Sequence, residues 1–331
     1  MKPKYLPFGA SFLPLKKPRF EDILALTLLS FVLSASAAGP SVNSRTLTLA
    51  EARKGFATHL IIRESAGFPV PTPPPDQLEL VNYTSPVGEL PAYVSRATAD
   101  GKKYPAIIWI VGGFSNSISE LAWSPGPVTN DQSATIFRQK GIITMYPSLR
   151  GGNENPGFFE DSYGEVDDVL AAADYLAKQT DVDPQRIYLG GHSTGGTLAL
   201  LVAECSSRFR AIFCFGPVDN ILDYGADHIF YTFDDKKESL LRSPGHWLDS
   251  IHAPTFVFEG TKPPSNIAPL HKMSKSNHNP AVNFLEVENQ THFTDIRPVS
   301  ALIADKILQD IGPSVSINFT KQEIEGAFNA Q

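Results

Sequence analysis

A chain of 331 residues that is 42% hydrophobic and 19% charged has room for one large α/β domain and lacks the composition of a disordered protein. Its net charge of −7, with no basic stripe to neutralise phosphates, argues against nucleic acid as a partner. The two cysteines, Cys205 and Cys214, stand in no metal or redox spacing and read as buried thiols, so neither a metal nor a cofactor is expected.

The first feature along the chain is an apolar run of about 15 residues within Ile23–Gly39, ending in small side chains. Lys16, Lys17 and Arg19 precede it, and Ala35-Ser36-Ala37 has the pattern of a cleavage site. Residues 1–38 therefore read as an export signal, which leaves 39–331 as a periplasmic or secreted domain with its core at about 78–312. The alternative is an uncleaved membrane anchor, but such a helix needs about 20 apolar residues. After cleavage no stable membrane span is expected.

Thr48-Leu-Ala-Glu51 is a capping-box pattern, and the apolar spacing behind it predicts a helix running to about Ile62. Phe68–Asp76, "FPVPTPPPD", is too rich in proline for a regular element. "LELVNY" and "LPAYVSR" read as two strands about the turn Ser85-Pro86-Val87-Gly88. From Ala106 onward buried strands alternate with helices. The strands are "AIIWIVGG", "IITMYP", "RIYLGG", "AIFCFGP", "TFVFEG" and "VNFLEVE"; the helices are "DQSATIFRQKG", "YGEVDDVLAAADYLAKQ", "GTLALLVAECS" and "VSALIADKILQDI". Such alternation specifies an α/β fold, a mostly parallel sheet with helices on both faces. Glu165, Asp167 and Asp168 fall in the first turns of the second helix, where the macrodipole favours acids.

Between the third of those strands and its helix lies Gly191-His192-Ser193-Thr194-Gly195. This is G-x-S-x-G in the strand–turn–helix setting that a nucleophile elbow requires: small neighbours let the chain turn sharply and present the serine Oγ above the sheet. A serine needs a base within hydrogen-bond reach. His292, in "ENQTHFTD" after the last strand, occupies the place where that order of elements puts it; His228, His246, His252, His271 and His278 have no matching position and read as surface or structural residues.

These residues carry a resemblance. Residues 105 to about 310 resemble the catalytic domain of the prolyl oligopeptidase family of α/β-hydrolases, through "GGF", "YPSLRGGNENPG", the run from "GEVDD" to "GGHSTGG", and "SPGHWLDSIHAPTFVFEGTK". In size the chain is nearer the small esterases and dienelactone hydrolases of that fold, since the segment before residue 105 is far too short for the family's β-propeller. The resemblance implies an acyl-enzyme mechanism with Ser193 as nucleophile and His292 as base. It also implies an oxyanion site from the N–H of Thr194, with Gly113 or Phe114 as second donor.

Two departures matter. The family's acid is an aspartate in the loop after the penultimate strand; here that loop reads "FEGTKPPSN", and Pro263 stands at the position. Glu259 is the nearest carboxylate, Asp219 in "FGPVDN" is the alternative, and an amide such as Asn266 remains open. The tyrosine that commonly supplies an oxyanion donor is replaced by Val111, which favours esters over amides. Arg150 reads as a loop tie or, alternatively, as a partner for an anionic substrate group, Trp109 as core, and Trp123 and Phe114 as candidates for the acyl pocket. Residues 223–247 stand where caps insert in this fold. The expected function is a serine hydrolase acting on a small-molecule ester or a small amide or short peptide; the alternative is a weakly active or inactive binding protein on the same fold.

Overall fold

The structure, a computed structural model, describes residues 47–97 and 100–329. The export reading of residues 1–38 lies outside the described residues.

The helix α1 (Leu49–Arg53) opens with the expected capping box, Thr48 and Glu51 each satisfying the other's backbone N–H. It stops after five residues, well short of Ile62. Gly55 takes a positive φ, and the chain beyond it bonds to residues 230 and 231, so tertiary pairing overrides the helical spacing. Then follow the hairpin β1 (Glu79–Ser85) and β2 (Gly88–Val94), β3 (Tyr104–Ile110), α2 (Thr135–Gln139), β4 (Ile143–Pro147) and α3 (Glu165–Leu176). The second half runs β5 (Val182–His192), α4 (Thr194–Cys205), β6 (Ile212–Phe215), α5 (Lys236–Leu240), β7 (Thr255–Gly260), α6 (Ile267–Ser276), β8 (Val282–Val287), α7 (Ile296–Gln309) and α8 (Lys321–Gly326).

The strands form one eight-stranded sheet in the order β1-β2-β4-β3-β5-β6-β7-β8. β1 and β2 are antiparallel to each other and β2 to β4; every pairing from β4 to β8 is parallel. Residues on the two sides of the sheet build two apolar cores. One includes side chains of α3, α4 and α6, the other side chains of α2, α7 and α8. Apart from its first residue and Cys205, α4 is buried throughout, as its nearly continuous apolar sequence requires. In register, Ile110 of β3 pairs with Gly191 of β5, and His192 of β5 with Phe215 of β6. The carboxyl ends of the central strands thus lie level with one another, where ligands bind in open α/β sheets.

The helix α6 has no counterpart in the sequence reading. Its sequence is weakly apolar, with a proline at its third position, and it opens on a hydroxyl rather than a conventional cap: Ser265 Oγ accepts the N–H of Ile267 at 3.0 Å. Cys214 is buried and Cys205 partly so; burial pushes the Cys205 thiol up to about 12, away from thiolate chemistry. Among the described residues, no helix is long and apolar enough to cross a membrane, and no group of His, Cys, Asp or Glu is placed to hold a metal ion.

Candidate active site

Ser193 stands at the turn from β5 into α4 with φ 55° and ψ −117°, a conformation that costs a non-glycine residue roughly 1–3 kcal/mol. Its surroundings hold it there. Its N–H donates to the carbonyl of Phe215 at 2.8 Å, and its carbonyl accepts the N–H of Thr197 at 2.9 Å. The neighbouring glycines are required by space: a Cβ on Gly191 would lie 2.3 Å from the Gly195 carbonyl oxygen, and one on Gly195 the same distance from that of Ile110. The sequence G-x-S-x-G is therefore a set of backbone contacts, with the serine on the only bend they allow.

His292 follows β8 in a short loop. Its Nδ1 lies 2.9 Å from Oε2 of Glu259, which is 1% exposed at the end of β7. The other carboxylate oxygen of Glu259 accepts the N–H of Gly260 at 2.9 Å. The loop that carries Pro263 supports the histidine through its backbone instead, the carbonyl of Pro264 accepting the His292 N–H at 2.8 Å. Asp219 is elsewhere engaged, against Lys272 of α6. Asn266 donates its side-chain amide to the carbonyl of Gly216 at 2.8 Å.

His192, the variable residue of the elbow, escaped the sequence reading. It is 1% exposed, and its Nε2 lies 2.8 Å from the carbonyl oxygen of His292, the two rings 4.5 Å apart between centroids. Burial, then the proximity of His292, lowers its basicity to about 3, so it is neutral and donates from Nε2. One neutral imidazole thereby fixes the backbone of the other. Asp295, three residues past His292, is also buried; burial first and the charge of Glu259 second push its carboxyl well up.

Gly216 gives the pair its passage. It has φ +56°, and a Cβ there would fall 2.4 Å from Glu259 Oε2 and 2.5 Å from His292 Nδ1. Gly216→Ala is expected to separate the two and lower kcat at least about 10²-fold, the cost of an ångström of misplacement. Steady-state kinetics beside a thermal melt would separate this from a folding defect.

Opposite the serine, the loop after β3 comes close to the elbow. The Thr194 hydroxyl donates to the carbonyl of Gly113. Gly113 has φ +102°, and the N–H groups of Gly113 and Phe114 donate to no other group among the described residues. Thr194 opens α4, whose N-terminal end carries partial positive charge.

With this geometry in place, comparison with known proteins is informative. Residues 128–246 match the family model described as the prolyl oligopeptidase family. The chain is 32% identical over 112 residues to prolyl oligopeptidase A of Amanita bisporigera, covering 32% of this chain and 13% of that protein. It is 30% identical over 130 residues to dipeptidyl-peptidase 5 of Porphyromonas gingivalis, covering 36% and 18%. This chain thus spans less than a fifth of either relative. The solved acylaminoacyl peptidase of Pyrococcus horikoshii superposes with a TM-score of 0.57 at 14% identity, over 75% of this chain and 43% of that one. A 2,6-dihydroxy-pseudo-oxynicotine hydrolase does so with 0.55 at 17% identity, over 74% and 72%. The fold is that of the α/β-hydrolases. The matched residues 128–246 include Ser193; Glu259 and His292 lie beyond them.

Arg150 ties its loop, as the residue type and position suggested. It is 6% exposed and meets both oxygens of Asp168, at 2.9 and 3.0 Å, and Glu160 at 2.9 Å. Trp109 is core, its Nε1 donating to the Gln132 carbonyl. Trp123 is a correction: it packs edge-on against Tyr93 and does not line the cavity beside the elbow. Phe114 does line it, stacked on His228 with centroids 3.4 Å apart, so His228 is a cavity residue rather than a surface one.

That cavity, about 80 Å³ against the roughly 10–15 Å³ a single water needs, is walled by apolar side chains such as Ile110, Leu149 and Leu198, and includes Asp161 and Glu165. Burial pushes Glu165 up to about 7 against the Glu160 N–H, with the Glu160 charge adding to the rise while Arg150 and the Asn116 hydrogen bond oppose it. Burial likewise pushes Asp161 up to about 6, against the Phe230 N–H and Arg242. A buried acid with a raised folded value binds its proton in the native state while the unfolded chain has lost it. Its contribution is therefore present below about pH 4.5 and lost as pH rises to about 7. Glu165→Gln is expected to flatten the fall in stability across that window, by up to about 3 kcal/mol. Denaturant melts of the two proteins at pH 4.5 and 7.5 would measure it.

Proposed function

We propose that the chain is a serine hydrolase in which Ser193 is the nucleophile, His292 the base and Glu259 the acid. The observation that carries this reading is the 2.9 Å contact between His292 Nδ1 and Glu259 Oε2, next to a serine held in a strained turn. Both halves touch the same bend: Ser193 bonds to Phe215, and the pair passes over Gly216.

In this mechanism Nδ1–H of His292 donates to Glu259, which leaves Nε2 as the acceptor for the serine proton. Ser193 Oγ attacks the carbonyl carbon as that proton moves to Nε2. The oxyanion meets the N–H of Thr194 and that of Gly113 or Phe114, groups with no other partner among the described residues. Collapse of the intermediate expels the alcohol or amine, which takes the proton from Nε2. Water then repeats the sequence on the acyl-enzyme and frees the acid. With Val111 where a tyrosine donor commonly stands in the family, the oxyanion is held by backbone alone, which favours esters and activated amides over ordinary peptide bonds.

A fluorophosphonate reads this directly, because only an activated serine reacts. One adduct per chain is expected, located on Ser193 by peptide mass mapping. A folded sample that stays unmodified would leave the binding-protein reading standing. Peptide substrates are consistent with the relatives' names. Export through the Ile23–Gly39 segment is part of the proposal, and the N-terminal residue of protein recovered from culture medium or periplasm would test it.

A further inference from the structure

We propose that the cavity beside the elbow receives an acyl side chain that ends in a cation, an ammonium or a guanidinium. The inference rests on the hydrolase reading above and names its substrate class.

Position comes first. The cavity includes Gly113, Phe114 and Thr194, the same residues that face a substrate oxyanion. A carbonyl held there directs the substituent on its acyl side into the cavity. The walls that this substituent meets are apolar, from Ile110, Leu149 and Leu198, which suits a methylene stem.

Charge comes second. Two carboxylates line the same space. Glu165 is 2% exposed; its Oε1 accepts from Asn116 at 3.0 Å and from the Glu160 N–H at 2.7 Å, whereas Oε2 is buried with no hydrogen-bond partner among the described residues. Asp161 is partly exposed; its Oδ2 accepts the Phe230 N–H at 2.8 Å, and its Oδ1 makes no hydrogen bond among the described residues. A buried acceptor without a donor is costly and uncommon in folded proteins.

The protein's own cations are already committed. Arg150 is bound to Asp168 and Glu160, and Arg242 to Glu238, Thr58 and the Glu160 carbonyl. The other side-chain donors on the cavity are Tyr224, His228, which is stacked on Phe114, and the hydroxyls of Ser115, Ser162 and Thr194, the last bonded to the Gly113 carbonyl. Among the described residues none of these is hydrogen-bonded to Asp161 or Glu165. The missing donor is therefore one that a ligand brings. An uncharged donor would satisfy hydrogen bonds alone; a cation also neutralises two acids in a space of low dielectric, which is the larger effect.

The test compares p-nitrophenyl esters of N-acetyl-lysine, N-acetyl-norleucine and N-acetyl-glutamine, with fluorophosphonate labelling as an independent measure of an active serine. At pH 8 the lysine ester is expected to exceed the norleucine ester in kcat/KM by about 10- to 100-fold, as an unpaired buried polar group in a specificity site dictates. That ratio is expected to fall as the pH is lowered to 5.5, because the acids become protonated. Asp161→Asn and Glu165→Gln should each bring it toward one while labelling persists; two variants guard against one that fails to fold. A ratio near one in labelled wild-type protein, or a preference for the glutamine ester over the lysine ester, would overturn the proposal and leave the hydrolase reading intact. Absence of labelling and of hydrolysis for all three would overturn both.

Discussion

Ser193→Ala is expected to lower kcat on an activated ester by on the order of 10⁶, to the level left by binding and the oxyanion donors. The size follows from how the site divides its work. In the proposed mechanism His292 takes the serine's proton and Glu259 only holds the imidazole in the right tautomer, so without the hydroxyl neither has anything to activate. His292→Ala should cost about as much, and the double variant little more, because the two residues function as a unit. Folding should survive. The strain at φ 55° belongs to the backbone, and alanine keeps the N–H that bonds Phe215. Pre-steady-state measurement with p-nitrophenyl acetate would show a burst in the parent protein and none in the variant.

Glu259→Gln should cost about 10⁴ in kcat, as changing the acid to an amide does in a serine protease triad. The neighbourhood decides the direction of the amide. The Gly260 N–H, 2.9 Å from Oε1, needs an oxygen acceptor, so the new NH₂ is left facing His292 Nδ1. That nitrogen must then accept, and the imidazole proton moves to Nε2, where a base needs a lone pair. The fold should be retained, because the substitution preserves shape. Fluorophosphonate labelling should slow in proportion to turnover, and recovery at high pH would mark the loss as one of tautomer rather than of structure. Asp219→Asn should leave kcat within a factor of about two, since its carboxylate meets the exposed Lys272 and not His292, and pairs with exposed partners contribute little.

Much of this arrangement is legible in the residues. The alternation of apolar strands and helices follows from local periodicity, and the glycines about Ser193 announce a bend that only their size permits. His292 can be named because chain order in this fold places it after a known strand; Glu259 is only the nearest carboxylate to the Pro263 position, with Asp219 and Asn266 left open. What resisted reading depends on contacts distant in sequence. The helix expected to reach Ile62 ends at Arg53 because the following residues pair with Phe230 and Tyr231. The helix α6 has little apolar content overall and lacks a conventional cap, although its Leu270 and Met273 are buried. His192 is the variable position of the motif, and nothing local shows that a carbonyl 100 positions away waits for its Nε2. Glu165 looked like an ordinary first-turn acid; its burial in a cavity arises only when segments near residues 113, 160, 195 and 228 meet.

Phe230 has a position whose consequence reaches outside the pocket. Its N–H is held by Asp161 from within, and its carbonyl accepts from both Ile61 and Ile62 from the other side, while Thr58 and His59 grip Glu238 nearby. One wall of the cavity is thus strung between an acid that a substrate would touch and a strand-like stretch that no substrate reaches. A substitution that breaks the outer bonds is expected to free Phe230 on that side and so to change the width of the chamber. On the proposed reading, substitutions at positions 58–62, far from the chemistry, are expected to alter selectivity by retuning a wall rather than redrawing a contact.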